Sequence, residues 1–364
     1  MKGTGMSRIQ THSRDQMTPL ERRKAIERGE PVDRVPAVPF MSEFKCEFSG
    51  ISTWDLWHDP GQMVEAEILP FNRYGYDRMV LGPNTRGIAE ALGASFVYPE
   101  KGAPYLETPL IQSYEQLDAL EPVDAFHSPR IQTFAQAAEL LAEEAGNIVP
   151  LEMSIGGPFT IAANLRGVET LLRDCRKNPE EIHRLMRLVT ESQKSCIDLA
   201  AVYGYGIAMA EPVANPGLLG PKMYETFVFP YTKELTDYAA QKTGKKVSLH
   251  MCGKTDSIWR YLSQYALNEV SLDNIVDLAS AAESLGKHVP IAGNVDPVGI
   301  LLNGTEEEIR QAVQKCVCQG SGAAKGFTLA TGCDIPESTA PEQIDVFMDA
   351  ARQISKTRIK GGVL

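Results

Sequence analysis

Eight short, β-favouring apolar runs punctuate this chain, and segments with helical period separate them. The runs lie near Val35–Met41, Asp77–Leu81, Ile148–Met153, Ile207–Ala210, Lys246–His250, Glu269–Leu272, Val289–Ala292 and Gly326–Ala330. Strands that alternate with helices pair in parallel through crossover connections. Eight such units predict an α/β fold with a closed (β/α)8 barrel, of the TIM type, rather than an open sheet. The clearest helical periods cover Pro60–Tyr74, Arg130–Ala145, Pro179–Tyr203 and Pro221–Lys242. Asn178-Pro179-Glu180-Glu181 and Thr305-Glu306-Glu307-Glu308 each place a capping residue before first-turn acids, which suits the helix dipole. A last helix is expected over Pro341–Ala351.

Ahead of the first strand, Thr18-Pro19-Leu20-Glu21 reads as the start of an N-terminal helical extension running to about Arg28. Residues 1–16 are polar, lack the apolar stretch of a signal peptide, and read as a flexible lead-in to a single barrel domain over 17–364. The segment from Arg86 to Ser113 breaks the strand–helix rhythm and reads as a hairpin inserted after the second strand.

A net charge of −11 argues against nucleic acid, whose phosphates call for a basic face, and against an anionic membrane surface. No apolar run reaches the roughly 18 residues that a membrane span needs. Seven cysteines, an odd number spread along 364 residues, suit reduced thiols and a cytoplasmic setting. Attention therefore turns to metal binding or catalysis.

On a barrel of this kind, functional residues stand where strands run into loops on the C-terminal face. His250 and Cys252 are two apart at the end of the fifth strand, so both side chains point to one side. Cys333 stands at the end of the eighth strand, across the same mouth. Two thiolates and one imidazole form a soft three-ligand set that suits Zn²⁺ and leaves a fourth position open. Cys175 and Cys196 fall on helices and read as core residues. Cys316 and Cys318 would point about 200° apart on a helix and cannot grip one ion.

The run His250-Met251-Cys252-Gly253, followed by Ala330-Thr331-Gly332-Cys333-Asp334-Ile335-Pro336, resembles the zinc signature of corrinoid-dependent methyltransferases. These are the methylcobamide:coenzyme M methyltransferases and relatives within the uroporphyrinogen decarboxylase superfamily. Further matches are Gly156-Gly157-Pro158-Phe159-Thr160, Glu211-Pro212, and Gly293-Asn294-Val295-Asp296-Pro297, so the resemblance spans about Met17 to Ile354. It implies zinc, methyl exchange between a protein-bound corrinoid (methylcobalamin) and a thiol such as coenzyme M, and a corrinoid-binding partner protein at the barrel mouth. The alternative is a uroporphyrinogen decarboxylase-type lyase acting on a tetrapyrrole. Those decarboxylases carry an Arg-rich loop, of the form RQAGRY, soon after the first strand. Here the segment reads Met41-Ser42-Glu43-Phe44-Lys45-Cys46-Glu47-Phe48, without arginine, where an acidic porphyrinogen would need guanidinium groups.

Asp273, at the end of the sixth strand, is the candidate fourth ligand, with capping of the next helix as the other reading. Glu211, Asn294, Asp296 and Glu152 are candidates for contact with substrate or corrinoid. The competing readings are a turn for Asn294 and Asp296 and a barrel-neighbour pair for Glu152. Gly156-Gly157-Pro158 reads either as a loop that lets a bulky ligand approach the backbone or as a plain turn.

Overall fold

The computed structural model describes residues 8–358. Eight parallel strands form the barrel wall: β1 (Ala37–Val38), β2 (Met79–Asn84), β3 (Leu151–Gly156), β4 (Gly206–Ala210), β5 (Val247–Met251), β6 (Leu267–Leu272), β7 (Ile291–Val295) and β8 (Phe327–Thr331). Their order around the sheet is β1–β8–β7–β6–β5–β4–β3–β2, with every neighbouring pair parallel. All eight expected strands are present, with ends shifted by a few residues. β1 is only two residues long because Pro36 and Pro39 flank it, and a proline nitrogen has no hydrogen to donate to a ladder. The inserted hairpin is also found, with Ser95–Val97 antiparallel to Tyr105–Thr108 after a short Gly87–Ala91 helix.

Helices cover the outside. Pro60–Tyr74 has the expected bounds, and Thr18 closes a reciprocal capping box with Glu21 at the start of the Pro19–Glu27 extension. The single helix expected over Pro221–Lys242 is instead three pieces: Pro216–Met223, a π-turn over Tyr224–Val228, and Phe229–Thr243. Gly220 leaves the helical region at φ 68°, and Pro230 cannot donate to the carbonyl four residues back, so the hydrogen-bond ladder resets between them. Among the described residues no helix is long and apolar enough to cross a membrane.

The ring closes between β1 and β2, where the strands form no ladder. There the Asp77 amide donates to the Ala37 carbonyl at 3.0 Å, and the Asp77 carboxylate accepts from the Ala37 amide at 2.7 Å. The same carboxylate meets Arg22 and Arg34, the latter at 2.5 Å. Arg22 also binds Asp33 at 2.7 Å, Arg34 binds Asp15 at 2.9 Å, and Arg352 of the last helix binds Asp15 at 2.7 Å. Three guanidinium groups thus face three carboxylates, all nearly excluded from water. Formal charge balances, which is what makes such a burial tolerable.

This knot changes the reading of the lead-in. Ile9 is buried, the Gln10 amide donates to Asn72, and Asp15 sits inside the ion cluster, so residues 8–16 are docked rather than free. Residues 1–7 lie outside the described residues.

Removing one member of a buried ion cluster strands its partners without water, at a cost of about 3–5 kcal/mol. Asp77→Ala should therefore lose about that much stability in urea titration. Deleting the exposed Arg28–Glu30 pair should change it by less than about 1 kcal/mol. Equal, small effects from both substitutions would show that the seam is not held this way.

Candidate metal centre

Residues at alternate positions of β5 share its inner face, and Ser248, His250 and Cys252 follow that alternation up to the mouth. The register sets His250 level with Ser271 on β6 and Ala210 on β4. His250 Nδ1 lies 3.0 Å from Ser271 Oγ, so with Nδ1–H donating to the serine, Nε2 keeps its lone pair. That nitrogen is 3.3 Å from Cys252 Sγ. A tetrahedral zinc with Zn–S of about 2.3 Å and Zn–N of about 2.0–2.1 Å would set the S···N separation at about 3.5 Å. Cys333, after β8, completes the group: its sulfur, that of Cys252 and a ring nitrogen of His250 all lie within 4.8 Å of one another. Among the described residues this is the one group of three or more His, Cys, Asp or Glu side chains that meets that test. The donor set therefore fits a three-ligand zinc site, with space around it for a fourth donor.

Electrostatics agree with a thiolate-bearing centre. Hydrogen bonds from Cys252 and His250 bring the Cys333 thiol down to about 4, against the opposing effect of burial. Cys252 moves the other way, because the hydrogen bond to Cys333 and its own burial both favour its proton. Burial alone would lower His250, but the neighbouring Cys333 sulfur raises it. His250, Cys252 and Cys333 thus titrate as one interacting set, and the shifts belong to the cluster as a whole.

The loop that carries Cys252 is braced. Gly253 has φ 80°, and a Cβ there would lie 2.0 Å from the Asn215 amide nitrogen, so the turn requires glycine. The Gly253 amide donates to Asp273 Oδ2 at 2.7 Å, and the Ile275 amide donates to Asp273 Oδ1 at 3.1 Å. Asp273, expected as a fourth ligand, thus stands outside the three-donor group with both oxygens engaged by backbone. The next helix starts at Leu278, and its cap is Asp277 rather than Asp273.

The other candidates prove structural in position. Glu211 is fully buried; the Thr160 amide and hydroxyl donate to it at 2.7 and 2.6 Å, and the Phe159 amide at 3.3 Å. It caps the Pro158–Arg166 helix from outside that helix. A Cβ on Gly157 would lie 1.7 Å from the Glu211 carboxylate, so glycine at this position makes room for that side chain. Asn294 donates to the Asp273 and Val276 carbonyls at 3.0 and 2.9 Å. Asp296 accepts from the Val298 and Gly299 amides, each at 2.9 Å, which is the turn role. Glu152 lies on the barrel floor, 3.2 Å from Arg78 and accepting from Ser248 at 2.9 Å.

A cavity of about 180 Å³ runs from His250 and Asp334 at the mouth down to Arg78 and Glu269. Sequence reasoning gave no role to Asp334, Ser271, Lys45, Glu67 or Arg78. Asp334 carried a signal in its position next to Cys333. Its carboxyl is pushed up to about 6, by burial first and by the Cys333 charge second, and Ser42 donates to it at 2.9 Å.

Comparison with known proteins adds a lineage. The sequence profile of the family described as "Uroporphyrinogen decarboxylase (URO-D)" matches residues 18–354. Methylcobamide:CoM methyltransferase MtbA of Methanosarcina acetivorans is 26% identical over 340 residues, 92% of this chain and 98% of that protein. A methylated-thiol–coenzyme M methyltransferase of Methanosarcina mazei is 24% identical over 93% of this chain and 90% of its own length. A uroporphyrinogen decarboxylase of Trichodesmium erythraeum is 27% identical, over 80% of this chain and 82% of that protein. Among solved structures, a methyltransferase from Methanosarcina mazei superposes with a TM-score of 0.79 at 21% identity, covering 93% of this chain and 99% of its own, and so shares the fold.

Burial raises the Glu211 carboxyl from 4.5 to about 7, opposed by its three hydrogen bonds. Between those values the folded protein keeps a proton that the unfolded chain releases. Folding stability should therefore fall as pH rises from about 4.5 to about 7 and level off above. Glu211→Gln removes that contribution. Melting temperatures measured from pH 4.5 to 8 should decline less steeply for this variant than for the parent; parallel curves would contradict the assignment.

Proposed function

The chain belongs to the uroporphyrinogen decarboxylase family, and we propose that it is a zinc-dependent methyltransferase moving a methyl group between a corrinoid and a small thiol. The observation that carries this reading is the convergence of His250, Cys252 and Cys333 donors within 4.8 Å at the mouth of the barrel. A decarboxylase acting on a tetrapyrrole has no use for two cysteines and a histidine in that arrangement. The mouth segment Ser42–Phe48 also presents Glu43 and Glu47 where the carboxylates of a porphyrinogen would need cations. Family membership and identities of 24–27% to proteins of both activities leave the choice to these residues.

In this reading His250, Cys252 and Cys333 hold the ion. When bound, zinc in a two-thiolate, one-imidazole set supplies the Lewis acidity that keeps a thiol deprotonated near neutral pH. Ser271 fixes the His250 ring, and Asp273 holds the loop of Cys252 by its backbone. Asp334, on the cavity wall beside Cys333, is our candidate for taking the thiol proton. In the thiol-methylating direction a sulfur lone pair forms the new S–C bond. The cobalt–carbon bond breaks, and its electron pair stays on cobalt as the cob(I) form. The products are a methyl thioether, cob(I)alamin and the released proton.

A corrinoid is too large for the cavity and would lie over the mouth, carried by a corrinoid-binding partner protein. Trp54, Leu218, Ile275 and Val298, on the segments that follow β1, β4, β6 and β7, are each more than half exposed. The inserted hairpin reaches across the same face, where the Gly102 amide donates to Glu337 at 2.7 Å.

The test is metal analysis with an assay of methylcobalamin demethylation across a panel of thiols. We expect about one zinc per chain, lost together with activity in Cys252→Ser and Cys333→Ser. Zinc affinity should fall by about 10–100-fold in Ser271→Ala, the loss typical of removing the partner that orients a ligand. A metal-free protein that decarboxylates a porphyrinogen would sink the proposal.

A further inference from the structure

The two cations lining the cavity below His250 are already paired with carboxylates. Two cations, Lys45 and Arg78, face three carboxylates, Glu67, Glu269 and Asp334. Lys45 Nζ is in direct contact with Glu67, and both side chains are almost fully buried. Arg78 donates to Glu269 at 2.6 Å and to Ser248 at 2.9 Å, with Glu152 behind it at 3.2 Å. Asp334, at the end nearest the cysteines, has Ser42 as its hydrogen-bond donor and no cation paired with it among the described residues. The remaining wall is largely aromatic and thioether, with Phe40, Trp57, Phe134, Met41, Met63 and Met209, interrupted by the neutral polar side chains of Asn84, Ser154 and Ser271.

An anion entering such a space loses its hydration and needs an uncommitted cation or a cluster of free N–H donors in return. Neither lining cation is uncommitted, and the buried Trp57 indole N–H, which has no partner, is a single donor rather than a cluster. Turning Lys45 toward an incoming anion would strand the Glu67 carboxylate in the interior, and turning Arg78 would strand two. A neutral head group meets no such conflict. A cationic one meets ring faces and an excess of carboxylate.

Building on the thiol reading above, we infer that this cavity selects a small thiol whose far end is uncharged or cationic, and discriminates against the sulfonate of coenzyme M. The chain thereby departs in substrate from the relatives whose names carry coenzyme M.

Three thiols that share a two-carbon spacer test this directly: 2-mercaptoethanesulfonate, 2-mercaptoethanol and 2-aminoethanethiol. Each is titrated calorimetrically into the zinc-loaded protein at one pH and one salt concentration. The sulfonate should bind at least tenfold more weakly than the uncharged thiol. A sulfonate that binds as tightly or tighter overturns the inference, as does failure of all three to bind. Glu67→Gln, which frees Lys45, should strengthen sulfonate binding at least tenfold relative to 2-mercaptoethanol, and an unchanged ratio overturns the inference. Should that variant not fold, the parent titration decides alone. Methylcobalamin demethylation, run in parallel, separates the two claims. Binding in the expected order without methyl transfer overturns the methyltransferase reading, whereas methyl transfer that favours the sulfonate overturns the selectivity.

Discussion

A ring of eight strands must close, and here the last gap is bridged by one aspartate. Asp77 joins β1 to β2 through backbone and carboxylate together, while Arg22 and Arg34 neutralise it from the extension and the loop before β1. Arg352 adds the final helix through Asp15. Closure has a consequence at the opposite end of the barrel. β5 and β8 are three strands apart in the ring order, so their C-terminal ends face one another across the mouth only if the sheet curls fully. The meeting of Cys333 with His250 and Cys252 depends on it.

Above that foundation, polar groups are stacked along the barrel axis in place of the branched aliphatic layers that usually fill such a core. Arg78, Glu152 and Glu269 form the floor, Ser248 and Ser271 stand in the middle, and His250 with the cysteines forms the rim. Each layer satisfies the one beside it. The floor pairs its own charges, the middle serine orients the His250 ring, and the rim brings two cysteine sulfurs beside it. Glu211 plays a supporting part from outside the cavity, capping the helix after β3 and thereby fixing the backbone between β3 and β4.

Much of this was legible in the residues. Strand positions followed from β-favouring runs, and the convergence of His250, Cys252 and Cys333 from a two-residue spacing at one strand end joined to a cysteine at another. The unread parts share a physical reason. Arg78 meets Glu269 from 191 residues away, and Lys45 meets Glu67 from 22 away on a different helix, so neither pair leaves a local pattern. Asp273 and Glu211 were recognised as strand-end acids. Whether such an acid binds a ligand or a backbone amide is decided by where a neighbouring loop passes: the Gly253 amide reaches Asp273, and Gly157 leaves room for the Glu211 carboxylate. The split of the helix after β4 was within reach, since Gly220 and Pro230 both stand in the sequence. The docking of residues 8–16 was not, because a polar segment gives no sign of the buried arginines that await Asp15.

The claim on which the rest turns is that these three side chains form one sulfur-rich metal site with a position left for substrate sulfur. Zinc K-edge X-ray absorption on the purified protein measures this without reference to turnover. We expect two sulfur ligands at about 2.3 Å and lighter ligands at about 2.0–2.1 Å, with the sulfur count rising to three when a small thiol is added. A shell of oxygen and nitrogen alone, or a sulfur count that stays at two under saturating thiol, would contradict it.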